Sequence, residues 1–145
     1  MNFDTKLKKL FTEYEKAFNQ LNFERVASMY TDSFMSAGPN GVISNSKVEF
    51  LNSAARAAGF YKSIGQDSAR IISLEVSPIS DQYSMAKTHW GVTFRKTGAR
   101  LIEFDVTYFV YTAGDEPKIV MFIAHQDEEK AMKELGLMGD QPFQG

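Results

Sequence analysis

Two runs decide the architecture: SMAKTHWGVTFR from Ser84 to Arg95 and LIEFDVTYFVYT from Leu101 to Thr112. Both are dense in β-branched and aromatic residues, and Thr97-Gly98 between them is a turn signal, so they read as two long neighbouring strands. Working outward, Arg70 to Val76 and Lys118 to Gln126 have the same character. Pro78 with Asp81, and Gly114 to Pro117, mark the turns that separate them. Within the second run Ile102, Phe104, Val106, Tyr108 and Val110 form one stripe, while Leu101, Phe109 and Tyr111 belong to the other. Residues two apart share a face, so both faces are partly apolar and both must be covered. Helices can cover one; the stripe left over predicts a homodimer built sheet against sheet through the outer face.

The first half has a different period. Phe3, Leu7, Leu10, Phe11, Tyr14, Ala17, Phe18 and Leu21 recur at helical spacing. Asn22 can cap a short second helix whose buried side is Phe23, Val26, Ala27, Met29 and Tyr30. Gly38-Pro39-Asn40-Gly41 is a turn between short extended pieces over Phe34 to Ser44, a small hairpin or a bulged strand. Ser46 and Glu49 form an S-x-x-E capping box ahead of Val48, Phe50, Leu51, Ala54, Ala55 and Ala58, a third helix that Gly59 can stop, with Phe60 to Gly65 as its exit. A short terminal helix is expected from Asp127, with Met132 and Leu135 on its buried side, and a loosely held tail over 136–145. Helices first and a meander of strands after is an α+β order. The 145 residues fit one domain.

Composition narrows the partners. Net charge is −2 and Lys6, Lys8 and Lys9 read as a solvated helix side, so there is no basic stripe for a nucleic acid. The absence of cysteine removes disulfides and Cys-based zinc sites. No apolar stretch approaches the roughly 18 residues of a membrane span, and the N-terminal pattern, with Asp4 and three lysines, is not that of a signal peptide. A cytoplasmic protein with neither nucleic acid nor membrane as partner is expected. His89 and His125 are the only histidines, and no spacing signature makes them metal ligands; no metal and no cofactor are expected.

The order of elements, the segment Met29-Tyr30-Thr31-Asp32-Ser33-Phe34, and Val106 to Tyr111 followed by Asp115-Glu116-Pro117-Lys118-Ile119 resemble the nuclear-transport-factor-2-like superfamily. The first segment is similar to the L-Y-A-D-D-A stretch of its ketosteroid isomerase and SnoaL-like branches, the second to the F-x-F-x-D-G-K-I hairpin, here with a longer turn. The resemblance covers nearly the whole chain. It implies a cone-shaped, curved, mainly antiparallel sheet with N-terminal helices in its concave face (a cystatin-like fold), and dimers are common among similar proteins. It speaks for fold rather than function. Ketosteroid isomerases use a Tyr and a protonated Asp as oxyanion donors and an ionised Asp as proton shuttle. Laid on that pattern, Tyr14 takes the oxyanion tyrosine, the shuttle falls on Gly38 and the second donor on Thr107. Without a base, proton abstraction loses a factor of about 10² to 10⁴, so the usual isomerase chemistry is not expected.

One other carboxylate is in question. A tight Thr97-Gly98 turn sets Trp90 opposite Asp105, Val92 opposite Glu103 and Thr88 opposite Thr107, on the face that the superfamily pattern turns inward, which makes Asp105 a candidate acid or base. A three-residue loop with Gly98 in a bulge sets Trp90 opposite Phe104 and His89 opposite Asp105 on the other face. The family spacing favours the first. The leading expectation is a binder of a small hydrophobic molecule, lined by Phe18, Tyr30, Phe34, Phe50, Trp90, Phe94, Thr107 and Phe122, with His125 at the pocket mouth. The alternatives are a SnoaL-like cyclase, dehydratase or isomerase acting through Asp105 with Tyr14 as donor, and a protein-interaction adaptor using the outer sheet.

Overall fold

The apolar face of the first helix is its reason for existing. Leu7, Phe11, Tyr14 and Ala17 are all buried, and α1 spans Phe3–Asn19. We describe the protein from a computed structural model covering residues 3–54, 66–94 and 101–126. The helix ends in a Schellman motif: Leu21 takes φ 55°, its N–H donates to the Phe18 carbonyl (3.0 Å), and the Asn22 N–H donates to the Ala17 carbonyl (2.9 Å). Leu21 therefore lies in the exit, not on the helix. Asn22 caps α2 (Phe23–Ala27), its side chain accepting from the Arg25 N–H.

That second helix is shorter than expected. Met29 and Tyr30 do not ride on it: Tyr30 opens β1 (Tyr30–Gly38). A pair of ties from β6 makes the difference. The Ile119 N–H donates to the Met29 carbonyl (2.8 Å) and Lys118 Nζ to the Ser28 carbonyl (2.6 Å), which pulls the chain straight. Pro39 and Asn40 turn it into β2 (Gly41–Ser46), with Gly41 at φ 126°, a conformation for which glycine is suited. The expected hairpin is present, and β1 is bulged as well. The capping box is formed in both directions: Ser46 Oγ accepts from the Glu49 N–H (3.2 Å) and Glu49 Oε1 from the Ser46 N–H (3.1 Å). It starts a helix over 47–54, α3. The expected stop at Gly59, its exit to Gly65, the helix from Asp127 and the tail lie outside the described residues.

The remaining strands are β3 (Gln66–Pro78), β4 (Tyr83–Phe94), β5 (Leu101–Tyr111) and β6 (Lys118–Ala124). They join β1 and β2 in one curved, unclosed sheet of order β2-β1-β6-β5-β4-β3. Among the described strands only the β1–β6 pair is parallel. Bulges in β1, β3 and at Phe109/Val110 of the β5–β6 ladder supply local bends. The helix α1 lies in the concavity, where Ala86, Trp90, Val92, Ile102, Val106, Tyr108 and Val110 meet it as core. No helix among the described residues is long and apolar enough to cross a membrane.

Polar residues of α1 also close part of an edge. Asn19 Nδ2 donates to the Ala69 carbonyl (2.6 Å), and Asn19 Oδ1 accepts from the Ala69 N–H (2.7 Å). Glu15 Oε1 accepts from the Ile71 N–H (2.9 Å). Side chains thus satisfy outward-facing groups of β3 that a seventh strand would otherwise take. Asn19→Ala should cost about 1–2 kcal/mol in urea unfolding and speed amide exchange at Ala69 while leaving amides in the middle of β5 protected.

Candidate functional site

The concave face is dominated by rings around one hydrogen bond. Helix α1 delivers Tyr14 and the start of β1 delivers Tyr30; their hydroxyls are 2.9 Å apart and buried. Tyr14 packs its ring 5.9 Å from Trp90 and 5.7 Å from Tyr108. Tyr30 stacks on Phe34 at 4.4 Å and meets Phe50 and Phe122 at 5.6 and 6.3 Å. Phe18 lies 6.0 Å from Trp90. Phe18, Phe50, Phe104 and Phe122 are only partly buried and pack against this cluster. Burial pushes the Tyr30 phenol well above its ordinary range, and the nearby Tyr14 and Tyr108 push it the same way. It stays protonated and can donate or accept a hydrogen bond, but it is no base.

The register of β4 against β5 is the one the family spacing did not favour. Trp90 pairs with Phe104, Thr88 with Val106 and His89 with Asp105. Asp105 consequently lies on the outer face, across the sheet from Tyr14. The reason is energetic: this register gives the concave face an apolar stripe, while the other would bury a carboxylate beside Trp90 at a cost of several kcal/mol. Thr107 shares the outer parity and bonds His125, Oγ1 to Nε2 at 2.7 Å, so neither lines the hollow as expected. Of the residues the sequence offered, Tyr14, Phe18, Tyr30, Phe34, Phe50, Trp90 and Phe122 come together, and Asp105, Thr107 and His125 do not join them. The Phe94 side chain lies outside the described residues. Tyr108 belongs to the cluster but was not among the expected lining residues. The alternative three-residue loop would have found it, since that register turns the stripe of Tyr108 inward, where it pairs with Phe122. At Gly38 an added Cβ would come no closer than 3.8 Å to its neighbours, so packing does not force the missing carboxylate.

The outer face holds its own polar cluster. The His89 ring sits between two acids, Nδ1 2.7 Å from Asp105 Oδ1 and Nε2 2.9 Å from Glu103 Oε1. Gln126 clasps Asp105, accepting from its N–H at 2.7 Å and donating to Oδ2 at 3.2 Å. Two acceptors on opposite ring nitrogens suit the imidazolium, which alone has two N–H donors. The bonds to Glu103 and then Asp105 raise the His89 pKa, and the bonds from His89 and then Gln126 lower that of Asp105. With both ring nitrogens taken by different carboxylates, the cluster is an ion-pair array; no group of three His, Asp or Glu among the described residues is arranged to hold a metal. A separate cleft of about 510 Å³ opens between α1, α2 and the β5–β6 turn. Four of its charged residues stand in pairs, Arg25 with Glu13 at 3.9 Å and Lys118 with Glu116 at 3.8 Å, and Lys6, Lys9 and Asp115 also line it.

An unclosed curved sheet with a helix in its concavity defines a class, and the comparisons agree. The sequence model of the family described as NTF2-like protein (DUF6841) matches residues 5–127, and the chain belongs to that family. A search of curated proteins finds no match. Among solved structures it is similar to an NTF-2-like protein of unknown function from Shewanella oneidensis, with 16% identity, TM-score 0.65, and coverage of 85% of this chain and 98% of that one. It is similar to a protein of unknown function with a cystatin-like fold from Nostoc punctiforme, with 9% identity, TM-score 0.67, and 86% and 90% coverage. It is also similar to the beta subunit of the benzoate 1,2-dioxygenase from Burkholderia mallei, with 11% identity, TM-score 0.67, and 90% and 93% coverage. At these identities the likeness is one of fold.

The outer cluster makes a pH prediction with a definite sign. His89, raised above its ordinary 6.5, contributes stability that is full below that value and fades as pH rises through the raised one. Asp105, lowered from 3.8, contributes fully above that value and loses its share as pH falls through the lowered one. The clamp is therefore complete between those two ordinary values. An NMR titration should place the His89 midpoint above 6.5, and Glu103→Gln should move it back further than Asp105→Asn does.

Proposed function

We propose that the chain binds a small hydrophobic molecule in its concave hollow, without ketosteroid isomerase chemistry. The observation that carries this reading is the pairing of His89 with Asp105, which turns the one carboxylate offered as acid or base away from Tyr14. A cyclase, dehydratase or isomerase driven by Asp105 needs that group on the other face. The groups that act on Tyr30 are its burial, Tyr14 and Tyr108, with no carboxylate among them. What the hollow offers is recognition: apolar walls whose contact with a ligand is worth about 25 cal/mol per Å², and a tyrosine pair to fix orientation. Apolar ring compounds should raise the melting temperature in a thermal-shift screen, and a screen in which none does so overturns the reading. Tyr14→Phe, which removes the shared bond and leaves the ring, should cost about 1–2 kcal/mol in urea unfolding.

The protein works, in this reading, as a homodimer through the outer sheet. Supporting it is an unbroken apolar row across four strands: Met85 pairs with Phe109, Phe109 with Met121, and Met121 with Met35. Met35 is 41% exposed. Sedimentation equilibrium at micromolar concentration should give the mass of two chains for the wild type and of one chain for Phe109→Lys; a single-chain mass for the wild type counts against the dimer.

A further inference from the structure

Among the described residues three buried side chains have no hydrogen-bond partner, Ser84, Thr112 and Trp90, and of these Trp90 stands in the aromatic cluster of the concave face. The residue is 5% exposed, and its indole Nε1–H has no acceptor among the described residues. Among the described residues, the neighbours that pack on it are apolar or have hydrogen-bond partners of their own. Phe18 and Tyr14 lie against its ring. Across the ladders stand Ile71 and Phe104. Thr88, the next inward-facing residue on β4, spends its hydroxyl on the Val106 carbonyl at 2.8 Å. The Tyr14 and Tyr30 hydroxyls serve each other. An indole N–H is donor only, and its direction is fixed by the ring. Unlike a hydroxyl, it cannot rotate to find a partner, and a buried donor left without one weakens a folded protein.

We infer that Trp90 is a specificity-determining donor of the hollow, selecting ring compounds that present a neutral oxygen acceptor, a carbonyl or an ether, to its Nε1–H. The inference rests on the hydrophobic-ligand reading above and adds to it the one polar feature the ligand must carry. The acceptor is neutral because the rings around Trp90 supply no counter-charge, and an unpaired anion brought there would lose its hydration without compensation. Phe18, which packs on the Trp90 ring, is only partly buried.

The chain contains one tryptophan, so its indole N–H gives a single, unambiguous proton–nitrogen resonance. Three matched probes separate the cases: 1-tetralone, tetralin, and tetralin-1-carboxylate. The ketone should bind about three- to tenfold more tightly than the hydrocarbon, as one added hydrogen bond allows. It alone should move the indole proton downfield. In Trp90→Phe the preference of ketone over hydrocarbon should vanish while tetralin still binds. If that variant does not fold, the resonance in the wild-type protein decides alone. Equal affinities for ketone and hydrocarbon with an unmoved indole proton overturn the inference and leave hydrophobic binding standing. Tightest binding by the carboxylate overturns the neutral-acceptor claim. Failure of all three to bind overturns the hydrophobic-ligand reading itself.

Discussion

The pairing of His89 with Asp105 is where the two faces of the sheet are assigned. Side chains alternate along a strand, so one residue of slip in one hairpin would exchange everything that β5 shows to the helix with everything it shows outward. In the observed register the inner stripe from Ile102 to Val110 meets α1, and the charged residues Glu103 and Asp105 stand outside with an imidazole between them. Each face is consistent with the other: the apolar stripe enters the core, and the acids stand on the half-exposed outer face beside an imidazole. The aromatic hollow and the absence of a carboxylate beside Tyr14 follow from that one choice.

Much of this was legible in the chain. The Asn22 cap, the Ser46–Glu49 box and the periodicity of α1 are local signals with local causes, and the structure contains all three. The four long strands could be read from composition to within a few residues at most ends; β3 begins four residues early because Gln66 to Ala69 is polar or small and gives little strand signal. The register was not legible, since Thr97-Gly98 is compatible with two loop lengths that differ by one residue. Nor was the end of α2, because the ties from Ile119 and Lys118 come from the far end of the chain. For the site, the helical and strand aromatics could be collected by parity, but Asp105, Thr107 and His125 could not be assigned to a face without the register. Tyr108 shows the complement: it stands on an apolar stripe of β5, yet the register that the family spacing favoured turned that stripe outward, and nothing local says that it would touch Tyr14.

A hollow built this way divides its labour by depth. The tyrosine pair sits where burial keeps phenols protonated, so it adds polarity without charge. The half-buried phenylalanines above it are tolerant in shape and chemically inert. Many ring systems would satisfy such walls, so in the proposed binding reading discrimination falls to the few fixed dipoles among them. The family fold is shared by proteins of diverse description, and in this chain the distinguishing chemistry lies in which dipoles the concave face retains.

The side chains of Asn19 and Glu15 have a consequence for how copies of this chain can add to one another. An open sheet has two ends, and continuous head-to-tail growth needs both to be free. Here the stretch from Ala69 to Ile71 is stoppered from within, while among the described residues β2, with Val42 and Ile43 more than half exposed, has no strand on its outer side. Strand addition at β2 can join like to like, and such a pairing closes on itself at two copies. Two hydrogen bonds made by one asparagine, with a third from Glu15, thus close part of the β3 edge to strand addition.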